Sequence, residues 1–254
     1  MPADGLGGSE VAARLGTGLE AGLGAGLGAD MPAPDRAAAP GATGWYGKLP
    51  SLGDFASRRL PPEFIEAWDQ WLARGLADWQ AREPDWLTHY LQGPSWRFLI
   101  APGVFGDSAW AGVLMPSVDQ VGRYFPLCIT GSRPQLPGAA ESLQSLLDWL
   151  LRLDDLALDA MQYDWPVDRL EAELQQVGDW PAGIAEFASP LAQRVADALS
   201  QPQSLASGQT LWISRDDLGA PFLYRHPGLP GSPLVSALLS GRLFDRSTTT
   251  EEAP

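Results

Sequence analysis

Phe64, Trp68, Trp71, Leu72, Leu76 and Trp79 recur at three- and four-residue steps, the spacing that lines side chains along one face of an α-helix. The stripe predicts a helix over 61–80 whose tryptophans Trp68 and Trp71 are largely buried. Pro61 and Pro62 suit its first turn, where amides have no intrahelical partner, and Glu63 and Glu66 suit its positive end. Leu143, Leu146, Leu150, Leu153 and Ala157 repeat the same step, with Leu147 and Leu151 widening the face, and predict a long helix over 139–161. Shorter patterns predict helices over 86–91, 167–176, 191–199 and 232–239. Strand-like runs rich in aromatic and branched residues cover 45–48, 96–101, 109–115, 124–130, 211–214 and 222–225.

The connections organise these elements. Pro102-Gly103-Val104-Phe105-Gly106-Asp107 reads as a hairpin, and the short loop over 116–123 makes the strands on either side of it antiparallel neighbours. The order is strand, helices, three strands, helices, two strands, helix. Three sequential strands flanked by helix groups predict an α/β fold, a three-layer α/β/α sandwich around a mixed, partly antiparallel sheet. Residues 1–43 are rich in Gly, Ala and Pro, with the low-complexity run Gly18-Leu19-Glu20-Ala21-Gly22-Leu23-Gly24-Ala25-Gly26-Leu27-Gly28. Such a segment buries too little apolar area to offset its ordering entropy. The expected organisation is therefore a disordered leader over 1–43, one domain over 44–244 and a disordered polar tail over 245–254.

Composition narrows the function classes. The chain has 254 residues, eleven tryptophans and a formal charge of −14, enough apolar material for a substantial core. The charge is uneven: residues 44–138 carry 8 basic and 9 acidic side chains, while residues 139–186 carry 2 basic and 11 acidic, a net −9. Nucleic acid, which demands a basic face, is excluded as a partner. An acidic block serves solubility or docks a basic protein, which makes Asp154 and Asp155 candidate contacts on an exposed helix. No run reaches the ~18–20 apolar residues needed to span a bilayer, and the N-terminus has no basic region ahead of an apolar core. The lone Cys128, in an apolar run, reads as a small core residue. All of this fits the cytoplasm.

Catalytic patterns are absent. His89 and His226 have no Cys or Glu at metal-ligand spacing, and neither a G-x-S-x-G elbow nor a P-loop is present. The glycine run does not match the dinucleotide-binding spacing, so no cofactor is expected. What remains is a charged set on or beside loops: Lys48, Asp54, Arg58, Arg59, Arg97, Asp119 and Arg123. Loop charges beside rigid strands can line a binding site. They can equally form buried ion pairs that fix the loops, because a buried carboxylate needs a partner, and Asp119 is expected to act as such a clamp.

Two motifs enclose this set. The first is Gly44-Trp45-Tyr46-Gly47-Lys48-Leu49-Pro50-Ser51-Leu52-Gly53-Asp54-Phe55, followed by Leu60-Pro61-Pro62-Glu63-Phe64 and Trp68-Asp69-Gln70-Trp71-Leu72. The second joins Trp96-Arg97-Phe98 and Pro102-Gly103 to Trp110-Ala111-Gly112-Val113-Leu114-Met115-Pro116-Ser117-Val118-Asp119-Gln120-Val121-Gly122-Arg123-Tyr124-Phe125-Pro126-Leu127. Together they resemble the TagF family of type VI secretion-associated proteins, densely over about 44–133 and more loosely beyond. Leu52 and Gln120 stand where that family commonly has Arg. The resemblance implies a post-translational repressor of type VI secretion in Gram-negative bacteria, able to contact a forkhead-associated (Fha) scaffold protein. Some relatives are fused to a metal-dependent phosphatase, but this chain has neither the length nor the Asp-Gly motifs for that domain. The expected function is a non-enzymatic regulator that binds an assembly component. The alternative is an enzyme of unknown reaction built on Asp54, Asp119 and Arg123.

Overall fold

The computed structural model describes residues 42–200, 208–215 and 220–243. Among these residues, seven strands form one open sheet: β1 (Gly44–Gly47), β2 (Ala56–Arg58), β3 (Trp96–Ile100), β4 (Ala109–Met115), β5 (Leu127–Arg133), β6 (Gln209–Arg215) and β7 (Pro221–Pro227). Among the described residues, six helices accompany them: α1 (Pro62–Arg82), α2 (Trp86–Leu91), α3 (Ala140–Gln162), α4 (Val167–Val177), α5 (Pro190–Ser200) and α6 (Ser232–Leu239). The strand order is β2-β1-β5-β4-β3-β6-β7, and every neighbouring pair is antiparallel. The mixed sheet expected from the element order is therefore corrected. Neither helical connection, from β2 to β3 or from β5 to β6, returns the chain beside the strand it left, so no parallel neighbours arise.

Two boundaries differ from the sequence pattern for local reasons. The strand expected over 124–130 begins at Leu127, because Pro126 has no amide to give the ladder; Tyr124 makes only an isolated bridge to Val118. Strand β2, three residues long, was not anticipated and exists through its pairing of Arg58 with Trp45 and Ala56 with Gly47. The leader expected over 1–43 lies outside the described residues except for Ala42 and Thr43, as does the tail over 245–254. Thr43 is buried, its amide donating to Asp179 Oδ1 at 3.0 Å and its hydroxyl to the Gly178 carbonyl at 2.8 Å.

Strand side chains alternate between two apolar clusters, as a period of two requires. Leu99, Val113, Ile129, Leu211 and Ile213 join one cluster with the apolar faces of α3, α4 and α5. Trp96, Phe98, Ile100, Leu114 and Trp212 join the other with α1 and α6. In α1, Phe64, Trp68, Leu72, Leu76 and Trp79 are buried as the stripe predicts. Trp71 is only half-buried: it flanks the stripe, reaching Trp212 and donating its indole N–H to the Pro230 carbonyl at 2.7 Å. Gly75 lets α1 approach α6 closely, since a Cβ there would lie 2.4 Å from Val235 Cγ1. Arg97, set between Trp96 and Phe98 on β3, points by the same alternation toward the α3 side of the sheet.

Candidate functional site

The loops that leave β1 and β4 meet around Asp119. Gly47 ends β1 at φ +137°, where a Cβ would sit 2.2 Å from the Pro126 carbonyl oxygen. This conformation favours glycine, and it delivers Lys48 into the space beneath the β4–β5 loop. That loop closes on itself through Asp119 N–H to the Arg123 carbonyl at 3.0 Å and Gly122 N–H to the Asp119 carbonyl at 3.0 Å. It is tied to the β1–β2 loop by Gln120 N–H to the Leu52 carbonyl at 2.8 Å. Leu52 and Gln120 are thus hydrogen-bonded to each other through the backbone.

The Asp119 carboxylate is shielded from solvent and its acceptor positions are filled. Oδ1 accepts the amides of Val121 at 3.1 Å and Arg123 at 2.9 Å. Oδ2 accepts Lys48 Nζ at 2.8 Å and Arg123 Nε at 2.7 Å. Four bonds use the four lone-pair sites of an ionised carboxylate. Burial raises its pKa, but the hydrogen bonds from Lys48 and Arg123 outweigh that and hold it down to about 2. Lys48 is almost fully buried, lies 4.7 Å from the Phe55 ring centre, and its carbonyl accepts the Ser117 hydroxyl at 2.5 Å. Arg123 also donates to the Gly53 carbonyl and approaches Asp54 at 3.6 Å. Both members of that last pair are exposed, so it contributes little.

The other charged candidates sit elsewhere. Arg58 lies on β2, 5.9 Å from the Trp45 ring centre. Arg59, at φ +58°, pairs with Glu171 of α4 and donates to the Thr43 carbonyl at 2.7 Å. Trp45 Nε1 reaches the same Glu171 carboxylate at 2.6 Å. Arg97 is buried on β3, within the strand expected over 96–101, with Nε 3.5 Å from Asp154 Oδ2 of α3. Asp154 is correspondingly not the exposed helix acid that the charge pattern suggests, since its side chain is only 15% accessible. Burial pushes its carboxyl pKa up, against the pull of the Ser95 hydroxyl and Arg97. Asp155 beside it is exposed. Glu83, Asp85 and His89 bring ligand atoms within 4.8 Å of one another, a grouping the sequence spacing did not reveal. Arg242 donates to Glu83 at 2.8 Å and lies 3.2 Å from His89 Nε2.

Chemically, the Asp119 cluster is suited to holding two loops rigid. A carboxylate with every lone pair engaged and a depressed pKa has no capacity to accept a proton near neutral pH. The one cysteine, Cys128, is buried, and burial pushes its thiol pKa up, away from nucleophilic use.

Residues 44–177 match the sequence model of the TagF N-terminal domain, type VI secretion system-associated. The chain belongs to the TagF family. Among solved structures it resembles the crystal structure of PA0076 from Pseudomonas aeruginosa PAO1, with 33% sequence identity and a TM-score of 0.65 over 84% of this chain and 97% of that one. No curated protein gives a significant match. The TagF-matched span holds the whole Asp119 cluster, the Arg59–Glu171 pair and the Arg97–Asp154 pair. It leaves out α5, β6, β7, α6 and Arg242. Among the described residues of this TagF-family chain, no helix is long and apolar enough to cross a membrane.

The Asp119 clamp carries a pH signature. Its folded pKa of about 2 lies below the ordinary 3.8, so ionisation stabilises the fold fully above about pH 4, and this contribution is lost as pH falls toward 2. The difference corresponds to about 2 kcal/mol. In urea titrations, the stability gap between wild type and Asp119→Asn is expected to narrow by that amount between pH 4.5 and 2. A gap that stays constant over this range would contradict the assignment.

Proposed function

We propose that this chain is a non-enzymatic, post-translational repressor of type VI secretion. It acts in the cytoplasm of a Gram-negative cell by binding a component of the secretion assembly. A forkhead-associated scaffold protein is the first candidate for that component. The observation that carries the reading is the saturation of Asp119. Asp119, with Lys48 and Arg123 bonded to it, is consumed in joining the β1–β2 and β4–β5 loops, and none of Asp54, Asp119 and Arg123 lines the cleft beside Asp154 and Asp155. Family membership supports the link to type VI secretion. The same reading takes residues 44–244 as one domain in which the α1, α2, α6 and α3, α4, α5 groups are the outer layers of an α/β/α arrangement. Their solvent faces are then the surfaces offered to a partner.

The test is a secretion assay joined to a binding measurement. A strain lacking the chain is expected to release more of a type VI substrate than its parent, and supplying the chain again should restore the lower level. Purified chain and purified forkhead-associated scaffold are expected to give a saturable heat on mixing. Unchanged secretion in the deletion strain would remove the repressor reading, and an absent heat with secretion still elevated would move the search to another assembly component.

A further inference from the structure

We propose that the cleft beside α3 is a docking pocket for a basic side chain, Arg or Lys, of the protein partner; this deepens the regulator reading and rests on it. The cleft holds about 250 Å³ between the end of α2, the end of β4 and the C-terminal half of α3. Leu91, Met115, Leu158 and Met161 form apolar walls, and Asp154 and Asp155 supply two carboxylates, with no cation among the described lining residues; Arg97 of β3 lies 3.5 Å from Asp154. A long basic side chain needs this combination, because its methylene stem packs on apolar surface while its head seeks an acceptor.

Asp154 gives the pocket an unmet acceptor. Its Oδ1 is buried and has no hydrogen-bond partner, and Arg97 Nε beside it is likewise without one, so the Ser95 hydroxyl in the cleft wall and Arg97 act on this carboxylate without using all of its acceptor sites. The 3.5 Å approach of Arg97 Nε to Oδ2 is an ion pair without the hydrogen bond that would complete it. Buried polar groups are rarely left in this state, and a guanidinium or ammonium entering the cleft can supply the missing donor. Asp155, exposed on the next position of the same helix, offers a second carboxylate to the same head group.

The rim argues for a macromolecule rather than a free small cation. Leu91 and Leu158 are 59% and 54% exposed, and only an opposing surface would cover them while the basic side chain sits between them. Charge complementarity points the same way. The segment 139–186, which contains α3 and α4, carries a net −9, so a partner surface approaching this side is favoured if it is basic.

The probe is acetyl-arginine methylamide, with its neutral citrulline counterpart as control, titrated into the full chain while backbone amide signals are followed by NMR. The arginine probe is expected to shift the signals of Leu91, Gly93, Met115, Asp155 and Leu158 saturably, and the citrulline compound should bind at least tenfold more weakly. Asp155→Asn and Leu158→Lys should each weaken the arginine probe at least fivefold with an unchanged melting temperature. In cells, Leu158→Lys should release secretion as deletion of the chain does. The proposal is overturned if the arginine shifts do not saturate, if citrulline binds equally, or if both variants bind like wild type. Probe binding at the cleft with full repression by Leu158→Lys would also overturn it as a partner site. The regulator reading is judged separately, by the deletion strain alone.

Discussion

Asp119→Ala is expected to destabilise the fold by about 3–5 kcal/mol, the range for removing one member of a buried ion pair. The substitution strips Lys48, which is nearly inaccessible, of its only carboxylate at hydrogen-bonding distance among the described residues. It also releases the amides of Val121 and Arg123 and the Nε of Arg123. Denaturant titration of purified protein measures the loss directly, and pairing it with a secretion assay separates two roles. A clamp predicts that repression is lost in proportion to folded protein. If Asp119→Ala proved fully stable while abolishing repression, Asp119 would be a partner contact and the loop-fixing role would be wrong. The double variant Lys48→Met/Asp119→Ala adds a check, because removing the stranded cation should recover part of the loss.

Trp68→Ala is expected to cost a comparable 3–5 kcal/mol, as large-to-small changes at fully buried aromatic positions do. Trp68 has no accessible surface. Its ring stacks on Phe64 at 5.4 Å and packs against Phe98 at 5.0 Å and Trp71 at 4.9 Å, so it joins α1 to the sheet through β3. Its indole N–H is buried without a hydrogen-bond partner, which makes the contribution one of volume and shape. Trp68→Phe, which forfeits no hydrogen bond, should therefore cost much less than Trp68→Ala. Equal losses for the two variants would show that the indole N–H matters after all. Near-neutral stability for both would mean that this face of α1 is not a core face.

The helices were legible because their stripes are long. The expected 61–80 and 139–161 compare with Pro62–Arg82 and Ala140–Gln162, and strand Ala109–Met115 was bounded correctly by its apolar run. What sequence alone does not carry is pairing between distant segments. Ala56–Arg58 has too few residues to show alternation and becomes a strand only against β1. Lys48 and Asp119 were both singled out as charged loop residues, yet their contact follows from β1 lying beside β5, which no spacing encodes. Glu171 as the shared partner of Arg59 and Trp45 was missed for the same reason. The sequence points to an exposed Asp154 because most acids of its segment face solvent. Its burial depends on Arg97, whose strand is legible in the sequence but whose pairing with α3 is a contact between distant segments.

The strand order has a consequence for the growing chain. Interior strand β3 takes one neighbour from β4, made directly after it, and the other from β6, which begins more than a hundred residues later at Gln209. Until those residues leave the ribosome, one edge of β3 is open, with a row of unpaired amides and carbonyls of the kind that recruits other chains. The tryptophan face of α1 likewise lacks α6, which reaches Gly75 through Val235. A nascent chain ending at residue 177 contains the whole span by which the family is recognised, yet it presents an incomplete sheet to the crowded environment of synthesis. The recognisable part of the sequence is shorter than the part that must emerge before the sheet can close.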